Sequence, residues 1–160
     1  MQKIGIKLIQ ALSIKNFLSF RDEVTFSFEA DREQHLKEQQ VVEIIPNVSL
    51  LKLAIIYGYN ASGKSNLLNA FEFLRNFWFE TKESKEEETD VIPFLLNQHS
   101  KNEPTVFQLM FFANRVKYRY ILHLTQAHIV YEQLDYYPSV QPANIFNKHP
   151  THRKDSSALC

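Results

Sequence analysis

An α/β fold is what this sequence predicts, and three stretches predict it. The first is Gly58-Tyr59-Asn60-Ala61-Ser62-Gly63-Lys64-Ser65, a glycine loop set between an apolar segment and a long run free of Gly and Pro. The second is a pair of alternating segments near the N-terminus. The third is a set of three alternating, aromatic-rich segments that begins near Thr105. Helical and strand periodicities thus meet in one chain of 160 residues, long enough to bury one real core.

The elements follow in order. Ile4 to Phe20 alternates apolar and polar residues, Arg21-Asp22-Glu23 reads as a turn, and Val24, Phe26 and Phe28 alternate again. Together these predict an antiparallel hairpin. Ala30 to Gln40 is polar and reads as an exposed helix or a loop. Val41-Val42-Glu43-Ile44-Ile45 predicts a strand, turned by Pro46-Asn47 into Leu51 to Tyr57. That last segment is short, apolar and β-prone, as a buried parallel strand would be.

Lys64 to Phe79 predicts the helix. Leu67, Ala70, Phe71, Leu74, Phe77 and Trp78 recur at spacings of three and four, with Asn66, Asn69, Glu72, Arg75 and Asn76 largely opposite. Thr81 to Asp90 is rich in Glu and Lys and reads as a solvated linker. Val106 to Phe112, Val116 to Leu124 and Ile129 to Tyr137 predict a meander, with turns near Asn114-Arg115 and Gln126-Ala127. Residues 1–138 are expected to form one lobe, and the polar stretch 139–160 a mobile tail.

Composition narrows the function. Eighteen basic residues balance eighteen acidic ones, so no polyanionic partner is demanded. A single cysteine, Cys160, rules out an intramolecular disulfide and suits the cytoplasm. No apolar run is long enough to span a bilayer, so no membrane role is expected.

The glycine loop carries the chemistry. It fits G-x-x-x-x-G-K-[ST] at every fixed position, a coincidence expected in under about 1% of chains of this length at average usage. A strand-to-helix loop can turn its N–H groups inward only where side chains stay clear, which Gly58 and Gly63 allow. Those donors and the positive helix end then face phosphate. In this pattern Lys64 reaches the β- and γ-phosphates and the Ser65 hydroxyl ligates Mg²⁺. The acidic element that completes a nucleoside triphosphatase is not found. The nearest segment, His128-Ile129-Val130-Tyr131-Glu132, is one apolar residue short and lacks a second acid. No glycine follows Gly63.

Other groupings read more simply as structure. Arg115, Lys117, Tyr118, Arg119 and Tyr120 could meet nucleic acid, but such alternation fits one wet and one buried sheet face. His149, His152 and Cys160 are three metal-ligand types without a fourth.

Ile56-Tyr57-Gly58-Tyr59-Asn60-Ala61-Ser62-Gly63-Lys64-Ser65-Asn66-Leu67-Leu68 resembles the phosphate loop of ABC-type ATPases of the RecF and SMC class. It resembles most the bacterial AAA-family ATPases of abortive infection and anti-phage defence. Ile14 to Arg21 is similar to that group's opening "I-x-N-F-x-S-F" strand, and Ala70-Phe71-Glu72-Phe73-Leu74 to its first helix. Pro93-Phe94, Tyr118-Arg119-Tyr120 and Tyr131-Glu132-Gln133-Leu134 resemble its antiparallel β-subdomain. The likeness runs from about Ile6 to Pro138.

The resemblance implies a P-loop NTPase fold, an ABC-ATPase-like N-terminal lobe with an antiparallel β-subdomain. It implies that the loop from Gly58 through Tyr59, Asn60, Ala61, Ser62 and Gly63 to Lys64, Ser65 and Asn66 frames ATP and Mg²⁺. It also implies that Lys15, Asn16 and Phe17 lie near the base or sugar, and that Gln133 is the nearest match to a second Mg²⁺ ligand. The signature loop, the Walker B acids, the catalytic Glu and the switch His of such ATPases would all follow residue 160. The partners implied are a second ATPase head, or a C-terminal half on another chain, and an effector protein. Alternative readings are a nucleotide-binding assembly module without turnover, an inactive fragment, or an ordinary P-loop kinase or GTPase, which would need a nearby Asp.

Overall fold

The computed structural model describes residues 7–31, 40–79 and 89–149. Alternation decides its main sheet. β1 (Lys7–Lys15), β2 (Val24–Ser27), β5 (Thr105–Ala113), β6 (Val116–Leu124), β7 (Ile129–Tyr137) and β8 (Ala143–Lys148) pair in the order β2-β1-β5-β6-β7-β8. Every pairing is antiparallel. On one face Leu12 opposes Leu109, Ile14 opposes Phe107, and Phe107 and Leu109 oppose Leu122 and Tyr120. All of these are buried. The helix α1 (Lys64–Phe79) covers them with Leu67, Ala70 and Leu74, at the spacings the sequence predicts. Phe17 fills the gap, its ring 5.1 Å from Phe107 and 5.8 Å from Phe73.

A bulge lets one sheet serve two cores. The β1–β5 register shifts between Ile9 and Ala11, so the side-chain parity of β1 reverses there. Leu8 comes to oppose Phe112 on the far face, where β3 (Val41–Ile45) and β4 (Val48–Leu51) form a separate hairpin. Ile44, Leu50 and Phe112 close a second, smaller cluster with Leu8 beside it. The two sheets are tied where the Leu51 N–H donates to Phe28 (2.8 Å) and the Ala30 N–H to Ser49 (2.9 Å).

Asn16 locks the end of β1. It is buried, stands at φ 53°, and uses its side chain completely. Nδ2 donates to the carbonyls of Ser100 (2.7 Å) and Glu103 (2.8 Å), while Oδ1 accepts from the Phe94 N–H (3.1 Å). Its carbonyl accepts from Thr105 Oγ1 at 2.6 Å. One amide therefore holds together β1, the Phe94 segment and the entry to β5.

On the far face Asp135 is buried opposite Arg119. Burial favours its neutral form, but the donors outweigh this: Arg119 (2.7 Å), Asn144 (2.9 Å) and Gln133 (2.6 Å) hold its carboxyl below the usual range.

Two expectations are corrected. Leu51 to Tyr57 is not a buried parallel strand: β4 ends at Leu51, and residues 53–58 lie in no strand. A parallel strand needs neighbours on its edges, and no described residue pairs with this segment. Within the stretch expected as a tail, Ala143–Lys148 forms β8, because Asn144 satisfies Asp135 and Phe146 sits opposite Leu134 at the core. Residues 150–160, the polar stretch 32–39 and most of the acidic linker lie outside the described residues. The helix, the N-terminal hairpin, β3 and the meander stand as expected.

Two outcomes follow. Asn16→Ala leaves one buried and two partly buried backbone groups without their side-chain partner and should cost about 1–3 kcal/mol in denaturant unfolding. The depressed Asp135 carboxyl stabilises the fold above the unfolded carboxyl pKa, and that stability is lost as pH falls through the lower folded value. Asp135→Asn should therefore flatten the acid limb below about pH 4 and cost about 1–3 kcal/mol at pH 7. Identical acid limbs in the two proteins would refute this.

Candidate functional site

The glycine loop sits where α1 begins. Ser65 is exposed in the first turn, which carries no acidic residue, so nothing local compensates the positive helix end. Gly63 stands at φ 90°, a conformation that L side chains avoid. A Cβ there would lie 3.1 Å from Ser19 Oγ, so the serine would have to give by a few tenths of an ångström, and 3.6 Å from the Phe20 ring, an ordinary contact. At Gly58 a Cβ would lie 3.2 Å from Ser62 Oγ. Ala61 takes a left-handed conformation, φ 63°, at a cost of about 1–2 kcal/mol for a residue with a side chain.

Lys64 turns back over its own loop. Nζ donates to the carbonyls of Gly58 (2.9 Å) and Tyr59 (2.6 Å) and to Ser62 Oγ (3.3 Å). The ammonium is thus held over the turn, at the focus of the loop. Triphosphate and Mg²⁺ fit these groups chemically. Residues 58–66 offer backbone N–H groups, an ammonium and hydroxyls, and none of them is acidic.

The structure brings two further residues to this loop. The Asn66 side-chain amide donates to Ser19 Oγ at 2.8 Å, and Ser19 and Phe20 close over Gly63. Neither Ser19 nor Phe20 stands out in the sequence as a site residue. The available signal is the break in alternation at Asn16-Phe17-Leu18-Ser19-Phe20, which places a serine at a corner between two phenylalanines. Asn16 and Phe17 instead commit their side chains to the interior, and Lys15 is exposed at the end of β1. Gln133 lies in the middle of β7, where its amide accepts from Tyr131 and donates to Asp135.

Beside the loop an apolar segment is bare. Leu53 is 70% exposed, Ile55 79% and Tyr57 91%. No backbone hydrogen bond joins residues 53–57 to any described residue.

The remaining groupings resolve into packing. Tyr118 stacks on Phe111 (5.2 Å), and Tyr120 is buried against the edge of Trp78 (5.1 Å). Lys117 lies over the Tyr137 ring (5.4 Å) and Arg119 binds Asp135, so the basic and aromatic residues alternate between faces. Burial pushes the Tyr120 phenol upward and the His123 imidazole downward. Among the described residues no group of three His, Cys, Asp or Glu side chains could hold a metal, and no helix is long and apolar enough to cross a membrane. His149 lies against Tyr131, ring centroids 4.9 Å apart, while His152 and Cys160 fall outside the described residues.

No curated protein matches the chain. The model of one protein family does match it, over residues 53–152, which is more than half of the chain and begins just before the glycine loop. Its description reads "AAA domain, putative AbiEii toxin, Type IV TA system". With the loop's geometry, that match identifies the chain as a member of this family of AAA domains, nucleotide-binding proteins of the ATPase type.

Proposed function

We propose that this chain is the ATP- and Mg²⁺-binding lobe of an ABC-type, RecF- and SMC-like ATPase head. The observation that carries the reading is the position of Lys64. Its ammonium is suspended over the loop by three oxygen acceptors, on the same turn whose backbone N–H groups would meet an anion. A phosphate chain entering the loop replaces the Gly58 and Tyr59 carbonyls as partner of Lys64, exchanging neutral acceptors for charged ones. Asn60, Ala61, Ser62 and Gly63 shape the turn around it, and the Ser65 hydroxyl would hold Mg²⁺. Bound Mg²⁺ neutralises developing phosphate charge.

The same reading makes the lobe one half of a working site. Residues 53–57 present apolar side chains next to the loop, with backbone groups that pair with no described residue, the condition of a segment that another polypeptide segment can cover. We assign that cover to a second head, or to a C-terminal half on another chain, that brings the acidic residues for hydrolysis. In that assembly ATP closes two heads and hydrolysis reopens them, and the cycle drives an effector in anti-phage defence. A DNA-associated role is the second outlet. A binding module without turnover remains the alternative, and the two part on whether an added acidic half restores hydrolysis.

Titration calorimetry with Mg²⁺-ATP tests the core of the reading. The wild-type chain should bind saturably in the micromolar to millimolar range, and Lys64→Ala should remove the signal. Equal binding by the two proteins would sink the proposal. Hydrolysis restored by an added acidic half, and lost again in Lys64→Ala, would establish the two-part site.

A further inference from the structure

The geometry points to the Leu18-Ser19 corner as a positioning element that sets the shape of the glycine loop and reports its occupancy to the segment Thr89–Phe94. The inference rests on the proposed phosphate-binding reading and goes beyond it, because the corner lies outside the loop motif.

The corner is rigid and has three neighbours. The Phe17 N–H donates to the Phe20 carbonyl (2.9 Å) and the Phe20 N–H to that of Phe17 (2.8 Å), so residues 18 and 19 form a closed two-residue turn. Leu18 holds φ 49°, a conformation costly for a branched side chain and kept only where surroundings enforce it. The first neighbour is the core: Asn16 and Phe17 anchor the turn from below. The second is the glycine loop, reached through the Ser19–Asn66 hydrogen bond and the close approach of Ser19 and Phe20 to Gly63. The third is the chain beyond residue 88. The Leu18 N–H donates to the Ile92 carbonyl (3.0 Å), and the Phe94 N–H donates to Asn16 Oδ1 (3.1 Å).

Binding needs such a coupling partner. Lys64 is held by the Gly58 and Tyr59 carbonyls, and an anion must draw it away. The loop then changes shape. A Cβ at Gly63 would lie 3.1 Å from Ser19 Oγ and 3.6 Å from the Phe20 ring, and Asn66 is bonded to Ser19, so a shift of the loop toward the corner displaces Ser19 and Phe20. The corner in turn carries the Ile92 and Asn16 contacts. Thr89, at the start of this segment, is itself tied to the meander through Thr125 (2.6 Å). Loop occupancy therefore reaches the β5–β6–β7 meander along packed and hydrogen-bonded groups that exist in the structure.

The experiment uses the full chain as wild type, Ser19→Ala, Asn66→Ala, the double variant and Ser19→Thr. Without ligand, amide hydrogen exchange is followed at Leu18 and Phe94, with Tyr120 in β6 as reference. Both single variants should speed exchange at Leu18 and Phe94 about threefold to tenfold and leave Tyr120 unchanged, and Ser19→Thr should restore the wild-type rates. With Mg²⁺-ATP, each single variant should weaken binding by a similar factor, and the double variant should be no weaker than either, because both remove one contact. Unchanged exchange at Leu18 and Phe94, or strictly additive losses of affinity, would overturn the coupling. Failure of the wild type to bind Mg²⁺-ATP would instead remove the nucleotide reading, while the ligand-free exchange still decides whether loop and corner are coupled.

Discussion

The structure depends most on the saturated, buried amide of Asn16. A left-handed residue at the end of an edge-to-core strand is unfavourable for most side chains, and asparagine tolerates it better than others. Here its side chain also answers the backbone polar groups that the turn leaves buried. A buried group without a partner costs about 1–3 kcal/mol, so the three contacts together outweigh the backbone strain. The consequence is geometric. With Asn16 fixed, Phe17 must point into the core, the chain must reverse at once, and Ser19 must arrive at the glycine loop. The glycine loop and the first strand of the antiparallel sheet are separate in sequence, and this corner brings them together.

Apolar surface is handled in two opposite ways. The main sheet buries both ends of β1 by changing its parity at a bulge, so that α1 covers one set of residues and the β3–β4 hairpin the other. The segment 53–57 has no such cover. Fully burying a side chain such as Leu53 or Ile55 is worth about 1.5–3 kcal/mol, and unpaired backbone groups add to the drive for a partner. Among the described residues the chain thus sets a well-packed sheet and helix beside an uncovered apolar segment that leads into the loop. This is the physical ground for treating the lobe as part of a larger site.

Local patterns are legible in the sequence; partnerships are not. The helix runs over the residues its apolar spacing marks, and the meander follows its alternation, because both are set by which face is buried. Gly63 is legible for the same reason, since a loop motif states a backbone need. The apolar run Leu51 to Tyr57 reads as buried because hydrophobicity signals a drive for burial and says nothing about whether a neighbour is present. β8 escapes a reading by pattern because Ala143–Lys148 is half polar and does not alternate, and its place is decided by Asn144 meeting a buried carboxylate nine residues earlier in the chain. Resemblance places Asn16 near a nucleotide base or sugar, and in the fold its side-chain amide bonds to backbone far away in sequence. Ser19 lies within a recognisable motif but has no evident role there, because only the folded chain places it against Gly63.

The way Lys64 is held bears on how strongly such a lobe can bind. An ammonium left in water would contribute its full attraction to a phosphate, reduced by the cost of ordering a long side chain. Here much of that ordering is already present, since three acceptors fix Nζ above the loop. The attraction, however, is also partly spent, because those acceptors must be released as the phosphate arrives. Net affinity is set by how far the charge-assisted hydrogen bonds to phosphate exceed the neutral ones they replace, and differences of this kind are modest. On the proposed reading, a loop that is shaped in advance but closed on itself favours a polyphosphate able to replace all three acceptors at once. Tight binding then has to come from groups outside the loop, and the bare segment beside it is where those groups can attach.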